Sequence, residues 1–232
     1  MTVLLIGGLD SSTGAGLARD LAVMCDHDMT ARVAATAVTA QDSAGGCSIH
    51  PIPATLVAAQ IRAAGQVRAA KTGMLANADI VHAIAETLPE VPFVIDPVLA
   101  TSAGAKLLER AGCAAMIARL IPRATLVTPN LLEAAQLTGL KSDAEIATLA
   151  AGFFAMGARA VLIKGGHADG PEAVDWLLRP GSAPLRFASS RKPGSRRGTG
   201  CTLASAIAVH LARGHDLATA CEYAKRYLSD WL

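Results

Sequence analysis

The stretch Gly-Thr-Gly-Cys-Thr-Leu-Ala-Ser-Ala, residues 198–206, carries the most specific chemistry in the chain. Gly198, Thr199 and Gly200 put small, flexible backbone at the start of an amphipathic helix, where the first N–H groups lack intrahelical partners. Those donors and the helix dipole make an anion site suited to phosphate, or to charge developing during phosphoryl transfer. Cys201, on the first turn, faces the same positive end, which is expected to lower its thiol pKa. Free cysteines commonly just fill small apolar gaps. That reading is adopted for Cys25, Cys47, Cys113 and Cys221, whereas the position of Cys201 points to function.

Other residues suit the same chemistry. Asn130 and Glu133 stand three apart at a helix start, a spacing at which oxygen ligands hold magnesium through water beside substrate phosphates. The same pair serves equally as an N-cap and its capping-box partner. Asp96 closes a hydrophobic strand, where a carboxylate can serve a metal or cap a turn. Lys164 precedes two glycines and can reach phosphate as a point charge, or be a surface lysine. Arg191, Lys192, Arg196 and Arg197 form a basic loop before the anion turn, within reach of a nucleotide phosphate. His50, His82, His167, His210 and His215 are scattered and receive no ligand role. The early glycine-rich turn, GGLDSSTGAGLARDL, has neither the Gly-Lys-Ser/Thr ending of a P-loop nor the third glycine of a dinucleotide fingerprint. It reads as a strand-to-helix turn with Ser12 or Thr13 as N-cap.

These residues must be positioned by a scaffold, and hydrophobic periodicity outlines one. Strands are predicted at residues 3–6, 31–36, 67–71, 93–96, 126–128 and 160–164. Helices are predicted at 14–26, 54–63, 78–87, 105–119, 131–137 and 143–156. The alternation implies βαβ crossovers and a mostly parallel sheet with helices on both faces. Residues 173–178 and 184–188 read as an edge hairpin, followed by helices 199–213 and 217–231. One α/β domain over residues 1–232 is expected. In such sheets ligands bind beyond the carboxyl ends of the strands. GGLDSSTGAG, TAQDS, KTGM, DPVLATSAG, TPNLLE and KGGH all fall there.

Bulk properties narrow the class. A net charge of +2 gives no field to recruit nucleic acid or membrane, and 3% aromatics argue against a base-stacking groove. Five cysteines with no C-x-x-C pair suggest a reducing cytoplasm rather than a disulfide framework. The N-terminal MTVLLIGGLD lacks a signal-peptide pattern, and no apolar run reaches spanning length.

In order along the chain, GGLDSSTGAGLARDL, VTAQDS, KTGML, IDPVLATSAGAKLL, TPNLLEAAQLTG, VLIKGGH, AVDWL and GTGCTLASAIA resemble the hydroxymethylpyrimidine and phosphomethylpyrimidine kinases of thiamine biosynthesis. That family lies within the ribokinase-like superfamily. The resemblance implies a three-layer fold and ATP- and Mg2+-dependent phosphorylation of 4-amino-5-hydroxymethyl-2-methylpyrimidine and its monophosphate. It places Cys201 where most of the superfamily has an aspartate base, with Gly198, Thr199 and Gly200 as the anion hole. Lys164, Asp96 and Thr199 would contact ATP, while Asn130, Glu133 and Asp96 would organise magnesium, largely through water. Gly8, Ala15, Asp20, Gln41 and Met74 match the positions around the pyrimidine, Gln41 reading the ring edge. A cytoplasmic homodimer is implied, with no nucleic-acid or membrane partner. The rivals are a pyridoxal or pyridoxine kinase of the same superfamily and a non-catalytic pyrimidine-binding sensor. The chain departs from the family pattern at Ser11 and Thr13, and at Arg197, where the family has histidine. That arginine places a positive charge beside the proposed anion hole.

Overall fold

The computed structural model describes residues 1–41, 47–101, 103–165, 170–192 and 196–232. Parts of TAQDS and KGGH, including His167, together with residues 102 and 193–195 and the Cys47 side chain, lie outside them.

The chain runs β1 (Thr2–Asp10), α1 (Gly16–Asp26), β2 (Thr30–Gln41), β3 (Cys47–Pro51), α2 (Ala54–Ala63), β4 (Ala69–Thr72), α3 (Ala78–Thr87) and β5 (Phe93–Ile95). It continues with α4 (Arg110–Arg119), β6 (Leu126–Val127), α5 (Leu131–Thr138), α6 (Ile146–Ala155) and β7 (Val161–Lys164). The hairpin β8 (Glu172–Leu178) and β9 (Leu185–Ser190) precedes α7 (Thr199–Ala212) and α8 (Leu217–Trp231). Among the described residues these strands form one sheet, ordered β3-β2-β1-β4-β5-β6-β7-β8-β9. The six central strands from β2 to β7 pair in parallel, while β3, β8 and β9 pair antiparallel at the edges.

Period-2 alternation sorts each strand's side chains into two cores. Leu4 and Ile6 of β1 point into a layer formed by α2 to α6, with Ile84, Met116 and Phe153 fully buried there. Val3 and Leu5 point into the opposite layer, against Leu17 and Met24 of α1 and Ile207 of α7. Burial on both faces explains why β1 reads as a continuous apolar run rather than an alternating one.

Three local expectations are corrected. Helix α4 begins at Arg110, not at residue 105. Leu107 and Leu108 are both buried, but in different clusters, and only extended backbone sends neighbouring side chains to opposite sides. Helix α1 is capped at Ala15, with no side-chain cap from Ser12 or Thr13. Ser12 instead donates through N and Oγ to the Asp10 carboxylate at 3.0 and 2.9 Å, and Thr13 has φ 60°. Strand β3 had no counterpart in the periodicity, being short and ended by Pro51, which an edge strand tolerates.

The cysteine and histidine readings also shift. Cys221 is buried and Cys113 packs against a core, as gap-fillers should, but Cys25 is exposed. His210 and His215 are not scattered. Their Nδ1 atoms lie 3.2 Å apart, with His27 and Tyr223 against the same rings. Among the described residues no group of three or more His, Cys, Asp or Glu side chains is arranged to hold a metal.

Candidate active site

The proposed anion turn sits where the ends of β1, β5 and β7 converge on α7. Gly198 is the N-cap of α7 with φ 80°, a left-handed conformation suited to glycine. A side chain there would also run into the Gly14 carbonyl, so the turn and the start of α1 pack backbone to backbone. Gly200 supplies the second close approach. A Cβ on it would lie 3.2 Å from Lys164 Nζ and 3.3 Å from Asp96 Oδ2. The missing side chain thus lets the Lys164–Asp96 pair press against the first turn of α7. Cys201 follows, partly buried, and accepts a hydrogen bond from the Gly16 backbone N–H.

Lys164 Nζ donates to Asp96 Oδ1 at 2.7 Å and lies 3.9 Å from Glu133 Oε2. Burial works against its charge, but Asp96 and Glu133 prevail and hold the ammonium above the usual lysine range. Glu133 responds in the opposite sense. Burial pushes its carboxyl up to about 7, against the pull of Lys164. The capping box is fully formed: Asn130 Oδ1 accepts from Glu133 N at 2.8 Å, and Glu133 Oε2 accepts from Asn130 N at 2.8 Å. The Asn130 side chain is therefore spent on helix geometry, whereas the Glu133 carboxylate both caps α5 and faces Lys164.

The thiol reading is corrected in sign. Burial pushes Cys201 up to about 11, outweighing Lys71, which pulls it down; Asp20 and Asp96 add to the rise. The helix start is present, but the surroundings that packing places around the sulfur decide its protonation.

The ring-contact positions divide. Gly8 and Met74 adjoin, a Cβ on Gly8 falling 2.7 Å from Met74 Sδ, and Ala15 lies against Gly198. Asp20 is placed differently. It is fully buried beneath this surface, both carboxylate oxygens 2.8 Å from Lys71 Nζ and Oδ1 also taken by Ser205 Oγ at 2.8 Å. Lys71, itself fully buried, is the residue that sequence reasoning missed. Its signal was a lysine within a strand expected to be apolar on both faces, a placement that requires a buried partner.

The three arginines of the basic loop are likewise spent on the protein. Arg191 donates to the Gly170 and Glu172 carbonyls. Arg196 lies over the Trp231 ring at 3.8 Å, with Arg19 also over that ring at 4.3 Å. Arg197 pairs with Asp10 at 3.1 Å, so the extra charge expected beside the anion hole is compensated.

Residues 10–232 match the family model for phosphomethylpyrimidine kinase. A hydroxymethylpyrimidine/phosphomethylpyrimidine kinase of Streptomyces coelicolor is 42% identical, across 98% of this chain and 87% of the relative. A solved phosphomethylpyrimidine kinase from Clostridium difficile superposes with TM-score 0.84 at 32% identity, covering 100% of this chain and 99% of that one. A pyridoxal kinase from Staphylococcus aureus, solved with AMP-PCP and pyridoxal, gives TM-score 0.87 at 33% identity, covering 98% and 86%. The mostly parallel sheet with helices on both faces accords with these similarities: the fold is ribokinase-like, and the chain belongs to the phosphomethylpyrimidine kinase family.

Proposed function

We propose that this protein transfers the γ-phosphate of ATP to the hydroxymethyl group of 4-amino-5-hydroxymethyl-2-methylpyrimidine, and then phosphorylates the monophosphate. The observation that carries this reading is the meeting of Gly200, Lys164 and Asp96 at the α7 start, in the same turn as Cys201. Backbone N–H groups of Gly198 to Gly200 face developing negative charge on the transferring phosphoryl group, and Lys164 supplies a fixed positive charge beside it. The substrate hydroxyl would lie against Cys201, with the ring between Gly8, Ala15, Gln41 and Met74. Phosphoryl transfer depends on positioning and electrostatics more than on a strong base, so a mostly protonated thiol is workable.

The donor set suits magnesium held through water rather than in a protein cage. Asp96 and Glu133 present carboxylates toward Lys164, and Mg2+ on nucleotide phosphates needs only one or two of these. The bound ion would neutralise phosphate charge there. Because the raised Glu133 carboxyl is neutral below its pKa, its negative form prevails only above about 7. kcat/KM for ATP should therefore rise through that pH, and Glu133→Gln should lose this acidic limb. An unchanged pH profile in the variant would remove Glu133 from the nucleotide site.

The named pyrimidine-kinase relatives favour the pyrimidine over pyridoxal, although the pyridoxal kinase structure superposes equally well. Phosphorus NMR of products from the pyrimidine with excess ATP, in competition with pyridoxal, tests the reading. Monophosphate followed by diphosphate is expected; pyridoxal phosphate as the sole product would overturn it. The family resemblance further supports one kinase domain per chain, a homodimer and a cytoplasmic location. No described helix is long and apolar enough to cross a membrane.

A further inference from the structure

We propose that Arg197 is a positioning residue for substrate specificity, which locks the side-chain amide of Gln41 in one orientation; this rests on the pyrimidine reading above. Arg197 immediately precedes the N-cap of α7, and its guanidinium reaches across the carboxyl ends of β1 and β2 to three groups. Nη1 donates to Ser12 Oγ at 2.9 Å, Nη2 donates to Asp10 Oδ2 at 3.1 Å, and Nη2 also donates to Gln41 Oε1. The Asp10 carboxylate is nearly fully buried and anchored by Ser12, so the arginine is held from the β1 side.

A guanidinium has only donors, which dictates the polarity of everything beyond it. The oxygen of Gln41 must face Arg197. Its Nε2 then donates to Thr39 Oγ1 at 3.1 Å, and that hydroxyl donates to the Leu9 carbonyl at 3.4 Å. Without a pure donor at 197, the amide can turn over and swap its two ends at little cost. With it, Gln41 keeps one N–H and one oxygen lone pair without a partner among the described residues, in fixed places. That adjacent donor–acceptor pair complements an aminopyrimidine edge, in which a ring nitrogen accepts and the exocyclic amine donates. A pyridoxal ring has no amine next to its ring nitrogen, so it cannot present that particular edge to the amide. Histidine, which the family has here, can donate or accept and does not impose this polarity.

The test is a steady-state kinetic cycle with Arg197→Ala, Gln41→Ala and the double variant. Losing a hydrogen bond from a charged donor corresponds to about tenfold or more in binding. Arg197→Ala should thus raise KM for the pyrimidine by about that factor, leaving kcat and KM for ATP within roughly threefold. In the Gln41→Ala background the same change should add nothing further. Arg197→Lys, which keeps a charge at Asp10 but lacks the planar fork, should shift KM in the same direction and by less. A raised KM for ATP with an unchanged pyrimidine KM would overturn the proposal, as would full additivity with Gln41→Ala. Wild-type protein that phosphorylates no pyrimidine would instead bring down the functional reading, and this inference with it.

Discussion

Replacing Cys201 by alanine should lower kcat by roughly 10²–10⁴-fold, the range for losing a positioned acid–base group. The sulfur sits where the Gly16 N–H, the Lys71–Asp20 pair and the α7 start converge. A thiol pushed up to about 11 is almost wholly protonated at neutral pH. It therefore acts as a placed partner for the substrate hydroxyl, and not as a preformed thiolate. Two measurements separate these states. Steady-state kinetics of Cys201→Ala should show the fall in kcat with little change in KM for ATP, and wild-type-like turnover would remove Cys201 from the chemistry. Iodoacetamide, which reacts with thiolate, should label exposed Cys25 well before Cys201 at neutral pH, as read by peptide mass spectrometry.

The largest expected effect on stability belongs to Lys71→Met. The change strands the Asp20 carboxylate in the core with only Ser205 as partner. Breaking a buried ion pair from one side costs about 3–5 kcal/mol. For a chain of this size that corresponds to a fall in Tm on the order of 10 °C. Removing both charges together, in Lys71→Met with Asp20→Leu, should recover much of the loss, because no uncompensated charge then remains. Calorimetric or urea unfolding checks both; a single-variant cost below about 1 kcal/mol would show that the pair is not held as an ion pair in the core.

The contrast between these residues shows what was legible beforehand. Helices α2, α3 and α8 were read to the residue, and α7 to its first residue, because their start signals are local: Pro53 before α2, the capping side chains of Asn77 and Asp216 at α3 and α8, and Gly198 before α7. Helix α4 was misread because Leu107 and Leu108 fit a helical pattern as well as an extended one. Neighbouring elements, not the local sequence, chose between them. The capping box of Asn130 and Glu133 is local, its members three residues apart, and was visible as one of two readings. Its meeting with Lys164 was not.

The amino-acid order by itself determined the β/α alternation, the glycine-lined helix start and the identity of the groups able to handle phosphate, since these rest on spacings of one to four residues. Only the tertiary structure decided what those groups are like. It packed the Cys201 thiol among desolvating neighbours and so reversed the expected direction of its pKa. It paired Lys71 with Asp20 across 51 residues, and Arg197 with Gln41 and Asp10 across 156 and 187. Burial and long-range charge pairing set protonation and donor polarity, and both arise from packing between elements distant in the chain.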